Sequence, residues 1–152
     1  MNISQNIWFM KQYITNSCSA VALLHSILNN DKIELEEESI AKILLYLKGD
    51  PNDLPRERGF YLIDNKNIEC IHEKLSSRDL TYDCYKTVFH YLSFVNNHGY
   101  IMELDGRLPC PISHGACKSD KFLKTTPKII KEYFILPIGI NGKMAIFALC
   151  IK

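Results

Sequence analysis

The chain has 152 residues, enough for one domain with a sizeable core, and 47% of them are hydrophobic against 23% charged. Its formal net charge of +1 gives no reason to expect nucleic-acid or anionic-membrane binding. No apolar run approaches the roughly 20 residues that span a bilayer, and the N-terminus lacks the basic and apolar regions of a secretory signal. We therefore expect a single domain over residues 1–152, in the cytoplasm or the nucleus, with reduced cysteines.

The N-terminal half predicts one short strand followed by helices. Residues 6–12 are aromatic and apolar, which favours a strand. Asn16 and Ser17 are N-cap types, and they precede an apolar helix that begins near Cys18 and ends at residues 29–31. Apolar spacing and turn residues predict three further helices, over residues 37–48, 56–64 and 67–75. Residues 76–86 lack any pattern, which is typical of a mobile loop.

The C-terminal half predicts mainly strands. β-branched and aromatic residues indicate extended segments over residues 88–95, 100–104, 108–112 and 144–151. A turn at residues 96–99 joins the first two segments. Pro127 fits the first position of a helix over residues 127–134, capped by Thr126. Helices followed by an antiparallel meander indicate the α+β class.

Cys18 is the first candidate functional residue. Its thiol falls in the first turn of the predicted helix, where unpaired N–H groups and the helix dipole stabilise a thiolate, the form that attacks as a nucleophile. Gln12 lies six positions earlier, so its amide can donate beside the Cys18 backbone N–H and complete an oxyanion hole. From this stretch alone, Cys18 as a small buried apolar residue remains an open alternative.

A thiolate mechanism needs an imidazole and a group that orients it. His90 lies in the predicted strand 88–95, and Asp105 follows the next strand, so a hairpin permits them to become cross-strand neighbours. His90 as a core histidine and Asp105 as a turn former remain alternatives. Of the other histidines, we expect His25 on the apolar helix to be structural and His98 in a turn to be solvated. His72 and His114 are weaker candidates for the base.

The remaining motifs give little support to metal or phosphate chemistry. Cys110, His114 and Cys117 do not have the spacing of a zinc site, and their neighbouring prolines suggest an extended segment. No Gly-rich phosphate loop, zinc-protease motif or nucleophile elbow is present. A redox or zinc protein that uses the other cysteines is therefore only a weak hypothesis.

Two blocks of the chain resemble the ubiquitin C-terminal hydrolases, a papain-like cysteine peptidase family. The first block runs from Phe9-Met10-Lys11-Gln12 through Asn16-Ser17-Cys18 to Asn30, and resembles the nucleophile segment. The second runs from Phe89-His90 through Glu103-Leu104-Asp105-Gly106-Arg107 to His114-Gly115, and resembles the histidine and aspartate segment. Weaker similarity extends through Pro55-Arg56-Glu57-Arg58 and the last predicted strand.

The resemblance implies an α/β sandwich with a central, mostly antiparallel sheet flanked by helices, no metal or cofactor, and ubiquitin or a ubiquitin-like protein as partner. It implies that Cys18 is the nucleophile, His90 the general base and acid, Asp105 its orienting residue and Gln12 the oxyanion donor. The implied reaction removes small or flexible adducts from the C-terminal glycine of ubiquitin through a thioester. Residues 76–86 correspond to a loop that lies over the active site in the family.

Three features depart from the family pattern. Only eight residues precede Phe9, where members usually carry a sizeable segment, so we expect an N-terminally truncated form of the fold. Ser19 replaces a common glycine, and the loop over residues 76–86 is short. The alternative function is accordingly a truncated, catalytically impaired module that binds ubiquitin.

Overall fold

The computed structural model describes residues 7–15, 17–64, 90–138 and 144–150. Its helices α1 to α4 and strands β1 to β3 follow in the order α1 (Cys18–Leu28), α2 (Ile40–Leu45), α3 (Leu54–Asp64), β1 (Ser93–Asn97), β2 (Tyr100–Leu104), β3 (Ile112–Ala116) and α4 (Phe122–Ile130). A 3₁₀ turn precedes α4, at Ser119–Lys121, and a π-helical turn and a last helical turn follow it, at Lys131–Ile135 and Leu136–Ile138. The predicted helix over 67–75 and the predicted loop over 76–86 lie outside the described residues. In the described part of the chain, every helix is too short or too polar to cross a membrane.

Helix α1 begins and ends where the capping residues predict. Ser17 is its N-cap residue, although the Ser17 hydroxyl donates to the Ile14 carbonyl (2.8 Å) instead of capping the helix with its side chain. The buried residues recur at helical spacing, at positions 18, 21, 22 and 25. This stripe turns the Cys18 side of the helix toward the interior.

Residues 7–12 are extended, but they are not part of the sheet, so the predicted strand over residues 6–12 is wrong for the residues described. Their side chains alternate as in a strand: Trp8 and Met10 pack with the helices, and Phe9 packs against β1 and β2. Side chains of α1, of its C-cap residue Asn29 and of α3, not a neighbouring strand, hydrogen-bond the main chain of Trp8, Phe9 and Met10. An apolar pattern predicts the extended conformation, but it does not show what will bond the backbone.

Helix α2 is shorter than the predicted range of 37–48. Ser39 caps it, because its hydroxyl accepts from the Lys42 backbone N–H at 3.2 Å. Leu44 is completely buried against Trp8 and Leu62, which contributes about 2 kcal/mol through the apolar area removed from water. Helix α3 agrees with the predicted helix over 56–64 and starts two residues earlier.

The sheet is antiparallel, with the strand order β1-β2-β3. Ser93 lies opposite Leu104, and the β1–β2 hairpin closes through His98 and Gly99 with φ of 46° and 84°, as a tight two-residue turn requires. The predicted hairpin is therefore confirmed. The prediction that His90 lies inside the strand is wrong, because β2 ends at Leu104 and leaves no partner for residues 90–92.

Strand β2 is covered on both faces. Met102 and Leu104 pack with Phe9 on the face toward residues 7–12. Ile101 packs with Cys117 and Ile129 on the face toward α4. The described residues therefore form three layers: α1–α3 with the extended segment, then the sheet, then α4.

The C-terminal predictions need three corrections. The third strand is β3 rather than residues 108–112, because the chain turns at Asp105 with the Leu108 backbone N–H bonded to the Asp105 carbonyl (3.0 Å). The helix predicted from Pro127 begins at Phe122, since α4 accommodates Pro127 in its interior. Residues 144–150 form no strand and are exposed, so the predicted buried strand is wrong there: β propensity alone does not supply a pairing partner.

Candidate active site

His90 and Asp105 form the direct contact of the candidate site, with His90 Nε2 2.7 Å from Asp105 Oδ1. His90 precedes β1 and Asp105 follows β2, so the hairpin brings both to one end of the sheet. The carboxylate next to Nε2 favours a proton on that nitrogen and leaves Nδ1 as the basic one. Nδ1 is buried and has no hydrogen-bond partner in the part of the chain described.

The Asp105 carboxylate also organises the turn that follows β2. Its Oδ1 accepts from the Arg107 backbone N–H at 2.8 Å, and the Asp105 carbonyl accepts from the Leu108 N–H. The two interpretations of Asp105 are thus compatible, since one carboxylate both forms the turn and contacts His90. The turn fixes the position of the acceptor for the imidazole.

Gln12 is tied to the same turn. Its backbone N–H donates to the Gly106 carbonyl at 2.9 Å, and the neighbouring Lys11 Nζ donates to the Leu108 carbonyl at 2.6 Å. The Gln12 side-chain amide donates to the Ile14 carbonyl at 3.3 Å, which leaves its second N–H available. Its Oε1 is buried without a hydrogen-bond partner among the described residues.

Cys18 is the first residue of α1 and is 7% exposed. Two contacts made by residues near it in the chain link the start of α1 to the other candidates. The Ile14 carbonyl accepts from both Ser17 Oγ and Gln12 Nε2, so the Gln12 amide lies near the start of α1. One turn after Cys18, Val21 packs so closely on Gly106 that a Cβ there would lie 2.9 Å from Val21 Cγ1.

Three side chains that anchor the extended segment were not predicted as site residues. Asn29 bonds both the N–H and the carbonyl of Trp8 at 2.8 Å, and His25 Nε2 accepts from the Met10 N–H at 3.1 Å. Arg58 donates from Nη1 to the Phe9 carbonyl at 2.7 Å. A signal was present in the sequence, because His25 and Asn29 are polar residues four positions apart along an apolar helix.

His25 is a buried neutral histidine, in agreement with its prediction as a structural residue. Burial lowers the pKa of His25 to about 4 and outweighs the opposite effects of the Met10 and Leu104 backbone and of Asp105. Its ring stacks on Phe9, with centroids 5.1 Å apart and planes at 7°.

The cysteines and His114 considered for zinc do not converge in the structure. His114 Nε2 instead lies 2.7 Å from Glu103 Oε2, with both side chains 7% exposed. In the described ranges, no group of three or more histidine, cysteine or acidic side chains is placed to hold a metal ion.

A cysteine hydrolase uses a thiol, an imidazole paired with a carboxylate, and donors for the oxyanion. The candidate site has these side-chain types: a thiol at the start of a helix, a paired imidazole, and a glutamine amide bonded to the turn that follows the carboxylate. Comparison with known proteins agrees with this class. The profile of the ubiquitin carboxyl-terminal hydrolases, family 1 (peptidase C12), matches residues 1–135. The chain belongs to this family.

The relatives and solved structures extend the comparison. The chain is 34% identical over 132 residues to ubiquitin carboxyl-terminal hydrolase isozyme L1 of Rattus norvegicus, which covers 86% of this chain and 58% of the relative. It is 30% identical to a ubiquitin carboxyl-terminal hydrolase of Drosophila melanogaster, over 85% of this chain and 56% of the relative. The Trichinella spiralis UCH37 catalytic domain, solved bound to ubiquitin vinyl methyl ester, superposes with a TM-score of 0.68 and 26% identity, covering 90% of this chain and 60% of that one.

The comparisons confirm the predicted papain-like α+β fold and the family. The chain spans somewhat less than three fifths of the length of the curated relatives described above.

Proposed function

We propose that this chain is a thiol-dependent hydrolase acting at the C-terminal glycine of ubiquitin. The observation that carries the proposal is the His90–Asp105 contact at 2.7 Å, with His90 Nδ1 buried and unpartnered in the described structure. Membership of the ubiquitin carboxyl-terminal hydrolase family supplies the reaction type. In this proposal Cys18 is the nucleophile, His90 the base and acid, Asp105 its orienting residue and Gln12 an oxyanion donor.

The reaction starts with transfer of the Cys18 thiol proton to His90 Nδ1, while the Asp105 carboxylate stabilises the resulting imidazolium through Nε2–H. The thiolate attacks the glycine carbonyl carbon, and the carbonyl electron pair moves to oxygen. Two donors stabilise this oxyanion: the free N–H of the Gln12 amide, and the Cys18 backbone N–H, which lacks an intrahelical partner at the first position of α1.

Collapse of the tetrahedral intermediate breaks the bond to the leaving amine, which takes the proton from His90 Nδ1. A thioester between Cys18 and the glycine remains. His90 then removes a proton from water, which attacks the thioester and releases the ubiquitin carboxylate and the Cys18 thiol. The net reaction consumes one water per bond cleaved.

Ubiquitin or a ubiquitin-like protein is the proposed partner. Support comes from the family and from the Trichinella spiralis UCH37 catalytic domain, whose structure contains ubiquitin vinyl methyl ester. A preference for small or flexible leaving groups stays a prediction, because the loop on which it depends, residues 76–86, lies outside the described residues. We also propose a reducing compartment, the cytoplasm or the nucleus, because a thiol nucleophile must stay unoxidised.

The test is the intact mass of the chain after reaction with ubiquitin carrying a C-terminal electrophile, beside a Cys18→Ala control. We expect one ubiquitin adduct on the wild type and none on the control, and release of a fluorophore from a C-terminal ubiquitin amide by the wild type. Ubiquitin binding without adduct or turnover would contradict the proposal and support the impaired binding module. Equal turnover by Cys18→Ala would exclude the thiol mechanism.

A further inference from the structure

The extended segment 7–12 runs antiparallel to α1 in a defined register. Trp8 bonds Asn29, and Met10 bonds His25, so a step of two residues along the segment matches a step of four along the helix. These steps are commensurate, because two extended residues advance about 6.6 Å and four helical residues about 6 Å. The next step along this register brings Gln12 toward position 21, where Val21 and Gln12 both contact Gly106.

Cys18 and His25 lie on the same buried stripe of α1, seven residues apart. One stripe therefore presents the proposed nucleophile and also anchors the segment that carries Gln12. A shift of this segment by one residue would turn the Gln12 side chain to the opposite side. The Gln12 amide can serve the oxyanion only if this register holds.

We propose that His25 is a positioning residue for the hydrolase: its Nε2 accepts from the Met10 N–H and so sets the register of Gln12 against Cys18. This inference rests on the proposed function, because it assigns His25 a role through the oxyanion donor of that reaction. His25 does not touch the reacting atoms.

The surroundings of His25 suit this role. The side chain has no exposed surface, and its ring is held between two aromatic neighbours, parallel to Phe9 and at 66° to Trp8. Acceptance from Met10 requires an unprotonated Nε2, and burial keeps the imidazole neutral. The ring proton therefore lies on Nδ1, which is buried and has no hydrogen-bond partner among the described residues. The Leu104 backbone also lies near the ring, so His25 fills the space between the Gln12 segment and the strand that ends before Asp105.

A matched pair of substitutions separates positioning from packing. His25→Gln places an amide near the former Nε2 and can still accept from Met10, whereas His25→Asn is shorter and cannot reach it. Ser26→Ala is the control on α1, because among the described residues the Ser26 hydroxyl bonds within the helix, to the Ala22 carbonyl at 3.0 Å.

The first measurement is the acylation rate per adduct-forming molecule with a fluorogenic ubiquitin amide, in the wild-type and Gln12→Ala backgrounds. We expect His25→Asn to lower kcat about 10- to 100-fold with little change in KM, His25→Gln to stay within about fivefold of wild type, and Ser26→Ala to have no effect. In the Gln12→Ala background, His25→Asn should lower kcat little further, because the effects of two residues that act through one interaction are not additive.

The inference would be overturned if His25→Asn lowered kcat by the same factor in both backgrounds, or if the two His25 variants lowered kcat equally. Amide hydrogen exchange provides a readout that needs no activity: the Met10 and Gln12 amides should exchange at least about tenfold faster in His25→Asn than in His25→Gln. Unchanged exchange would also overturn it. A wild type that forms no ubiquitin adduct would instead contradict the proposed function, and the exchange result would still decide the role of His25 in the register.

Discussion

Two histidine–carboxylate pairs in this chain have the same Nε2–oxygen distance, 2.7 Å, and different surroundings. The His90–Asp105 pair lies at the end of the β1–β2 hairpin beside the turn that holds Gln12, and its second ring nitrogen is unpartnered within the described residues. The His114–Glu103 pair bridges β3 and β2. There the imidazole contacts Phe94 and Tyr133, with ring centroids 5.6 Å and 5.1 Å away.

A histidine–carboxylate pair by itself does not identify a catalytic base. The first pair is distinguished by its place beside a turn that is bonded to Gln12, the candidate oxyanion donor. The second pair joins the sheet to the helical turn that carries Tyr133, with both side chains 7% exposed. We therefore expect the first pair to control rate and the second to control stability.

The largest expected effect is on rate, from Asp105→Asn. An amide in place of the carboxylate no longer fixes the His90 tautomer or stabilises its imidazolium, so acylation should fall by about two to four orders of magnitude. Stopped-flow release from a ubiquitin amide measures the rate. A loss in proportion to unfolded protein, seen by circular dichroism, would mean that Asp105 serves only the turn.

The matching change at the second pair is Glu103→Ala. It leaves a buried imidazole without its acceptor, and we expect the free energy of unfolding to fall by about 3 kcal/mol. Acylation per folded molecule should be unchanged. Urea denaturation and active-site titration measure the two quantities, and a strong rate loss in folded Glu103→Ala protein would place this pair in the catalytic machinery.

A third histidine, His25, differs from both pairs because its ring bonds the main chain rather than a carboxylate. Its pKa is about 4 against a usual 6.5, so between these values the unfolded chain binds more protons than the folded one. The contribution of neutral His25 to the free energy of unfolding is therefore fully present above about pH 6.5 and is lost as the pH falls toward 4. At about 1.4 kcal/mol per pKa unit, the loss between pH 7.5 and 4.5 is about 2–3 kcal/mol.

Urea denaturation at several pH values tests this slope, with His25→Gln as the control that cannot titrate. The nearby charges are Asp105, which raises the pKa of His25, and Arg58, which lowers it, and both effects are smaller than that of burial. As the pH falls, we expect the free energy of unfolding to decrease more in the wild type than in His25→Gln. Parallel pH dependence in both proteins would show that His25 is not the group that titrates.

The sequence predicted the α1 start and the β1–β2 hairpin, which brings His90 into contact with Asp105, because capping, turn and alternation signals are local. It did not predict that the segment before α1 is bonded by Asn29, His25 and Arg58 instead of a strand. Side-chain bonding of this kind depends on which helix packs against the segment, and periodicity does not report it. Residues 144–150 show a similar limit: their β propensity did not report that they would lack a strand partner and be exposed.

The structure also shows two glycines whose roles the sequence does not encode, one through close packing and one through its backbone conformation. Gly106 follows Asp105 and lies against Val21 and Gln12, so that a Cβ would come within 2.9 Å and 3.0 Å of their side-chain carbons. Gly115 follows His114 and has open space around it, but its φ of 99° is unfavourable for other residues. The two positions therefore offer the same substitution beside each histidine–carboxylate pair.

Gly106→Ala should lower acylation about 10- to 100-fold, because the added methyl group displaces the turn that holds Asp105 and Gln12 and small misplacements at a reacting centre are costly. Gly115→Ala should only destabilise the chain, by about 1–2 kcal/mol of backbone strain, with acylation per folded molecule unchanged. Acylation and urea denaturation of both variants measure this contrast. If the two variants lost activity equally after correction for folding, close packing at Gly106 would have no special role, and the distinction between the two pairs would rest on Asp105 and Glu103 alone.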